Sequence, residues 1–155
     1  MNSNFRDMLF MLADENADFM IVGAYALAFH GIPRATGDFD LFLRGTPENA
    51  ERVWRALVKF KAPLNQITKQ DLSYPRWGLT FGIEPSRIDL MTDISGVDFD
   101  AAWNNRIFTM IEERLFPVMG LVDLLANKRA AGRPKDVYDV MLLENKIKEA
   151  NRKAD

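Results

Sequence analysis

The stretch GDFDLFLR, residues 37–44, constrains this chain more than any other, because it sets two carboxylates into a run of large apolar side chains. Phe39, Leu41 and Leu43 alternate with Asp38, Asp40 and Phe42, and alternation with period two marks a strand with one buried face. On such a strand Asp38 and Asp40 leave the same face with Cα atoms roughly 6.6 Å apart. Like charges held that close on a rigid element repel, which is unfavourable unless a cation sits between them. Magnesium suits the arrangement, since it takes hard oxygen ligands, commonly one or two carboxylates together with substrate phosphates. Two such ions about 3.5–4 Å apart polarise an attacking hydroxyl and steady a leaving pyrophosphate. The alternative for this pair is a solvated strand edge or a turn.

A lone D-x-D is weak on its own, and the chain carries a second copy, DFD at 98–100. There it precedes AAWNNR, a helical segment, so Asp98 reads as an N-cap and Asp100 as a first-turn acid. Asp89 is the stronger companion for the first copy. It is embedded in the apolar run IDLM, where an ionised carboxylate is strongly disfavoured without a cation or several donors. Its alternatives are a partner for Arg87 or an edge position facing water, and Asp93 at the strand end is the fallback ligand. Asp38, Asp40 and Asp89 are therefore expected on neighbouring strands with converging carboxylates.

The remaining elements are set by periodicity and punctuation. Phe5, Met8, Leu9 and Leu12 predict a first helix capped near Ser3. DFMIVG at 18–23 reads as a strand entering a turn, and AYALAFHG as a short helix stopped by Gly31 ahead of Pro33. Thr46-Pro47-Glu48 opens a helix through about Phe60, with Val53, Leu57 and Phe60 inward. Residues 62–75 give a poor signal, read as a loop with some irregular structure. WGLTFGI and RIDLMTD predict two strands joined through Glu84-Pro85-Ser86, and IFTMI and RLFPVM a hairpin about Glu112-Glu113. Helices near 120–130 and 134–148 close the chain, followed by a charged tail, about 148–155, expected to fray.

At 155 residues this is one expected domain with room for a core. The mixture of strands and helices predicts an α/β or α+β fold, a mixed β-sheet flanked by helices. There is no cysteine and a single histidine, so thiolate chemistry, disulfides and His- or Cys-based zinc sites are excluded or disfavoured. No apolar run approaches the length of a membrane span, and MNSNFRDM lacks a secretory pattern. A cytoplasmic protein with no membrane partner is the expectation. The net charge of −2 confines any polyanion contact to a local cluster, of which KRAAGRPK at 128–135 is the candidate.

Within that cluster Lys128 lies on the apolar stripe of Leu121, Leu124 and Leu125, pointing inward rather than to solvent. An inward lysine needs an anion, which a phosphate or Asp136 would supply; alternatively its ammonium snorkels to water. Asp136 aligns with Val140, Leu143 and Ile147, yet behind Pro134 it equally fits an N3 acid satisfied by the helix dipole. Arg133, Arg129 and Lys135 read as more exposed, either solvating or phosphate-binding. His30 reads as structural at a helix end. Arg34, in the loop before the D-x-D strand, is placed to reach a phosphate or brace the two aspartates.

The segment IVGAYALAFHGIPRATGDFDLFL resembles the core motif of the polymerase-β-like nucleotidyltransferase superfamily, in which a strand ending in Gly-Gly or Gly-Ser leads through a short helix to a strand bearing D-x-D. More narrowly, it is similar to minimal proteins related to the abortive-infection type IV toxin nucleotidyltransferases. The closing LLANKRAAGRPKDVYDVMLL resembles their final motif, a Lys followed by R-x-K-D-x-x-D. The resemblance covers about residues 18–44 and 85–145.

It implies a polymerase-β-like nucleotidyltransferase fold and transfer of a nucleoside monophosphate from a nucleoside triphosphate, ATP among the candidates, to an acceptor hydroxyl on transfer RNA, protein or a small molecule, with Mg2+ or Mn2+ as cofactor. By the same resemblance Gly23 and Ala24 fall on the triphosphate turn, and Asp38, Asp40 and Asp89 are catalytic metal ligands. Lys128 and Asp136 match late active-site residues. Ala24 departs from the pattern, since the family has Gly or Ser there and a hydroxyl contact is lost. The competing reading is a catalytically weak or inactive NTP-binding module, or a toxin–antitoxin component acting through a protein partner.

Overall fold

The computed structural model describes residues 1–154. Its centre is a mixed six-stranded sheet formed by β1 (Phe19–Val22), β2 (Asp38–Leu43), β3 (Gly78–Phe81), β4 (Arg87–Met91), β5 (Ile107–Ile111) and β6 (Arg114–Val118), in spatial order β3-β4-β2-β1-β6-β5. Strands β2 and β4 run parallel, as do β1 and β6, while β1–β2, β3–β4 and β5–β6 are antiparallel. Helices α1 (Ser3–Asp14), α2 (Gly23–Phe29), α3 (Pro47–Phe60), α4 (Phe99–Asn104), α5 (Leu121–Ala131) and α6 (Val137–Ala154) complete the chain. This is the mixed sheet flanked by helices that the sequence predicts.

Both faces of the central strand are covered. Phe39 stacks on Phe5 of α1 with centroids 4.8 Å apart, and Phe42, on the opposite side of the strand, meets Phe99 of α4 at 5.0 Å. Phe39, Leu41, Phe42 and Leu43 are therefore all buried, and the polar interruption by Asp38 and Asp40 stands out as local. Asn49 pins the far end of β2. Its side chain accepts from the Asp18 amide and donates to the Asp18 and Arg44 carbonyls, satisfying groups that a buried loop would otherwise strand.

Several boundaries differ from the sequence expectation. The cap of α1 is Asn2, not Ser3, accepting from the Asn4 amide at 2.8 Å. The 62–75 stretch contains two short 3-10 turns, Leu64–Gln66 and Lys69–Leu72. Phe60 is only partly buried and packs edge-on to Phe81 rather than filling the core. The last helix starts at Val137, after a separate 3-10 turn, Pro134–Asp136, and extends through Ala154; residue 155 lies outside the described residues. Among these residues no helix is long and apolar enough to cross a membrane.

Candidate active site

The register of β2 against β4 decides the site. Asp40 lies directly opposite Asp89, and Asp38 opposite Arg87; aligned residues on parallel strands project to the same face. Val22, the last residue of β1, pairs with Asp40 from the other side, so the turn at Gly23 lands beside that carboxylate. Gly23 has φ +66°, and a Cβ built there would come within 2.2 Å of Asp40 Oδ2. Glycine is thus required twice, for the left-handed backbone and for the close approach of the acid.

The three carboxylates are not equivalent. Asp38 accepts from Arg87 Nη2 at 2.5 Å, which turns it toward its cross-strand neighbour. Its Oδ1 and the Oδ1 of Asp89 are buried without any hydrogen-bond partner. Asp40 has its pKa pushed up from 3.8 to about 7, first by burial, then by a hydrogen bond shared with Asp89 and by the charges of Asp89 and Asp38, with Lys128 pulling the other way. That shared bond needs a proton between the two carboxyls, which burial and the neighbouring charges keep on Asp40. The expectation of three converging carboxylates is therefore met in strand placement but not in detail. Among the described residues no three acidic or histidine side chains gather closely enough to enclose a cation as they stand.

Orphaned anionic oxygens are the feature that a hard divalent cation satisfies. Asp38 Oδ1 and Asp89 Oδ1, with a neighbouring carboxyl held near neutrality by its own kind, fit such an ion.

Opposite the acids stands a charged wall carried by α5 and α6. Lys128 projects inward and donates to Asp136 Oδ1 at 3.1 Å, with Asp139 Oδ2 at 3.4 Å. Arg133 Nε donates to Asp136 Oδ2 at 2.7 Å, and Arg34 pairs with Asp139. Asp136 and Asp139 are both buried. Burial opposes ionisation of Asp136, but the hydrogen bonds from Arg133 and Lys128 outweigh it and hold its pKa below the ordinary value. Asp136 is a first-turn acid behind Pro134, as expected, and from that position it also anchors two cations. Lys128 does not snorkel to water.

Acids and cations together line one cavity of about 1020 Å³, which also takes in Gly23, Ala24 and Arg34. Sequence reasoning misses Asp139, although it closes the R-x-K-D-x-x-D segment and precedes the buried Leu143 by one helical turn. Arg87 suggests itself from the sequence only as a partner for Asp89, but the register gives it to Asp38. His30 Nε2 lies 2.9 Å from the Met119 carbonyl oxygen, outside the cavity, in a structural role. Asp98 caps α4, accepting from the Ala101 amide at 3.0 Å, and Asp100 pairs with Arg44. Arg129 faces Glu144 at 3.5 Å.

With this geometry in view, the comparison with protein families is decisive. The model of the nucleotidyl transferase AbiEii toxin, of type IV toxin–antitoxin systems, matches residues 7–155. The chain belongs to that family. Membership supports nucleotidyl transfer as its general chemistry. Among solved structures, a Thermotoga maritima protein provisionally described as a nucleotidyltransferase shares the fold, with a TM-score of 0.57 and 18% identity over 93% of this chain and 90% of that one. No curated protein matches the sequence significantly.

Proposed function

We propose that this AbiEii-family chain moves a nucleoside monophosphate from a nucleoside triphosphate to an acceptor hydroxyl, in the cavity between the β2–β4 acids and the α5–α6 cations. The observation that carries the reading is the cross-strand pairing of Asp40 with Asp89, beside two buried carboxylate oxygens that lack donors. Asp38, Asp40 and Asp89 would hold Mg2+ or Mn2+, which supplies charge neutralisation at the phosphates and acidifies the attacking hydroxyl. The chain's own contribution is positioning and charge. Gly23 and Ala24 lie against the triphosphate, Arg34, Lys128 and Arg133 face its oxygens, and Asp136 and Asp139 keep those cations oriented. Asp89 contributes its unpartnered Oδ1 to the metal ion. Preorganised charge of this kind is commonly the largest single contribution to catalysis.

Family membership also supports an antitoxin protein as partner. A second reading, triphosphate binding without turnover, is favoured by Ala24, which offers no hydroxyl. One experiment separates them. The protein is incubated with each α-labelled triphosphate, Mg2+ or Mn2+, and total RNA, total protein or small-molecule acceptors, with Asp40→Asn alongside. Label transferred by wild type and not by the variant supports transfer and names the acceptor class. Binding without transfer in all arms supports the second reading, and absence of binding overturns both.

A further inference from the structure

Strand β5 ends the sheet on the side away from the acids, separated from β2 by β6 and β1. Its sequence with one flanking residue at each end is Arg106-Ile107-Phe108-Thr109-Met110-Ile111-Glu112. Free edges are normally blunted by lysine, proline, bulges or a covering element. Within Ile107–Ile111 there is no charge and no proline, and the outer face leaves Phe108 at 52%, Met110 at 65% and, on β6, Leu115 at 60% exposure. On the inner face Phe116 of β6 is buried and stacked on Phe10 of α1 at 5.4 Å, while Ile107 of β5 is 39% exposed.

The hairpin geometry says which backbone groups are free. The two-residue turn Glu112-Glu113 has φ of 48° and 68°, the left-handed pair of a type I′ turn. Ile111 pairs with Arg114, Thr109 with Phe116 and Ile107 with Val118. Residues flanking such a turn exchange both hydrogen bonds, and the pattern alternates along the ladder. Ile107, Thr109 and Ile111 therefore spend their amides and carbonyls on β6, and those of Phe108 and Met110 point out from the edge.

We propose that this edge pairs with its own copy, antiparallel about a two-fold axis through Thr109, making a homodimer with a continuous sheet. In that register Phe108 exchanges both backbone bonds with the partner's Met110, and Ile107 faces the partner's Ile111. At each end Arg106 meets the partner's Glu112. The sequence is self-complementary about its centre in shape, hydrophobicity and charge, which is what an isologous interface demands. Arg106 donates through Nη1 to the Trp103 carbonyl at 2.6 Å. Among the described residues Arg106 has no acidic partner in its own chain. It is held over Trp103 with its guanidinium 3.9 Å from the ring centroid, and its Nε has no acceptor. Glu112 is engaged only by Arg6 through Oε2, in an exposed pair of little strength. The cavity has no residue of β5 or β6 in its lining.

Sedimentation equilibrium of the full chain up to several hundred micromolar, with amide exchange at low and high concentration, tests the proposal. Wild type is expected to dimerise, with the Phe108 and Met110 amides slowing as concentration rises. Arg106→Glu and Glu112→Arg, each placing like charges together twice, should weaken association about tenfold, and the double variant should recover it. Phe108→Lys, on the solvent face of the edge, should abolish it while the melting temperature stays near that of wild type. A wild-type chain that remains monomeric throughout, edge amides indifferent to concentration, or a double variant no better than the singles would overturn the pairing. An edge that is protected only when an antitoxin is present would overturn it equally, assigning the strand to that partner.

Discussion

Asp40→Asn is the substitution from which the site's electrostatics can be measured without any assumption about turnover. The group's pKa is pushed up from 3.8 to about 7, by burial first and then by Asp89 and Asp38. The folded state therefore holds a proton that the unfolded state releases between those two values. Stability rises with pH where the unfolded state binds more protons; here the folded state binds more, so the sign is reversed. The contribution is fully present below about pH 4 and is lost as pH rises to about 7. A gap of roughly three units at 1.36 kcal/mol each gives about 4 kcal/mol as the upper limit of the loss. Asparagine reproduces the protonated shape and never ionises. Urea unfolding in chelator at pH 4.5, 6 and 8 should show the variant close to wild type at the lowest pH. At pH 8 the variant should be more stable by about 2–4 kcal/mol. Magnesium with triphosphate should then raise the stability of wild type at pH 8 and raise that of the variant much less, because the variant keeps Asp38 and Asp89 but lacks the third ionised carboxylate. A stability difference that does not change between pH 4.5 and pH 8 would refute the account of a carboxyl kept protonated by its neighbours.

Three other substitutions separate binding from packing. Lys128→Met removes the cation shared by the buried Asp136 and Asp139. It should lower stability by about 1–3 kcal/mol, since Arg133 and Arg34 still cover part of that charge, and should weaken triphosphate binding; a neutral effect on both would place the ammonium outside the site. Gly23→Ala drives a methyl into Asp40 Oδ2 and strains a positive φ, so a loss of about 1–3 kcal/mol in thermal unfolding is expected together with loss of metal-dependent nucleotide binding. Asp98→Ala, in the second D-F-D copy, should cost about 1 kcal/mol as a lost N-cap with nucleotide affinity unchanged; a drop in affinity would mean that this copy also serves the site.

The parts of the molecule that are legible in its sequence and those that are not divide along a physical line. Local regularities are legible. Alternation locates β2, the i, i+3, i+4, i+7 spacing locates α1, and two apolar runs about Glu112-Glu113 locate the hairpin although its turn lacks glycine. Asp98 and Asp38 open identical tripeptides, yet AAWNNR after one copy and LFLR after the other distinguish a helix cap from a strand. Pairings between distant segments are not legible. Nothing in RIDLM says that Arg87, rather than Asp89, falls opposite Asp38; that is fixed by a register between two strands 49 residues apart. Asp139 is hidden for the same reason, because an acid on an inward helical position becomes informative only when Arg34 and Lys128 are seen to converge on it. The alternation also conceals that Phe42 is as buried as its neighbours, since a central strand has no solvent face.

The same register has a consequence for how the molecule comes into being. Asp40 and Asp89 become neighbours only after α3, both 3-10 turns and β3 have been laid down between β2 and β4, and the cations opposite them arrive from the final two helices. Contacts so distant along the chain form late, after the local helices and the β5–β6 hairpin. A chain emerging from the ribosome therefore lacks a floor to its cavity until β4 docks, and lacks a wall until α6 is in place. That order of assembly leaves the cavity incomplete until its last two helices have docked, long after β2 itself has been made.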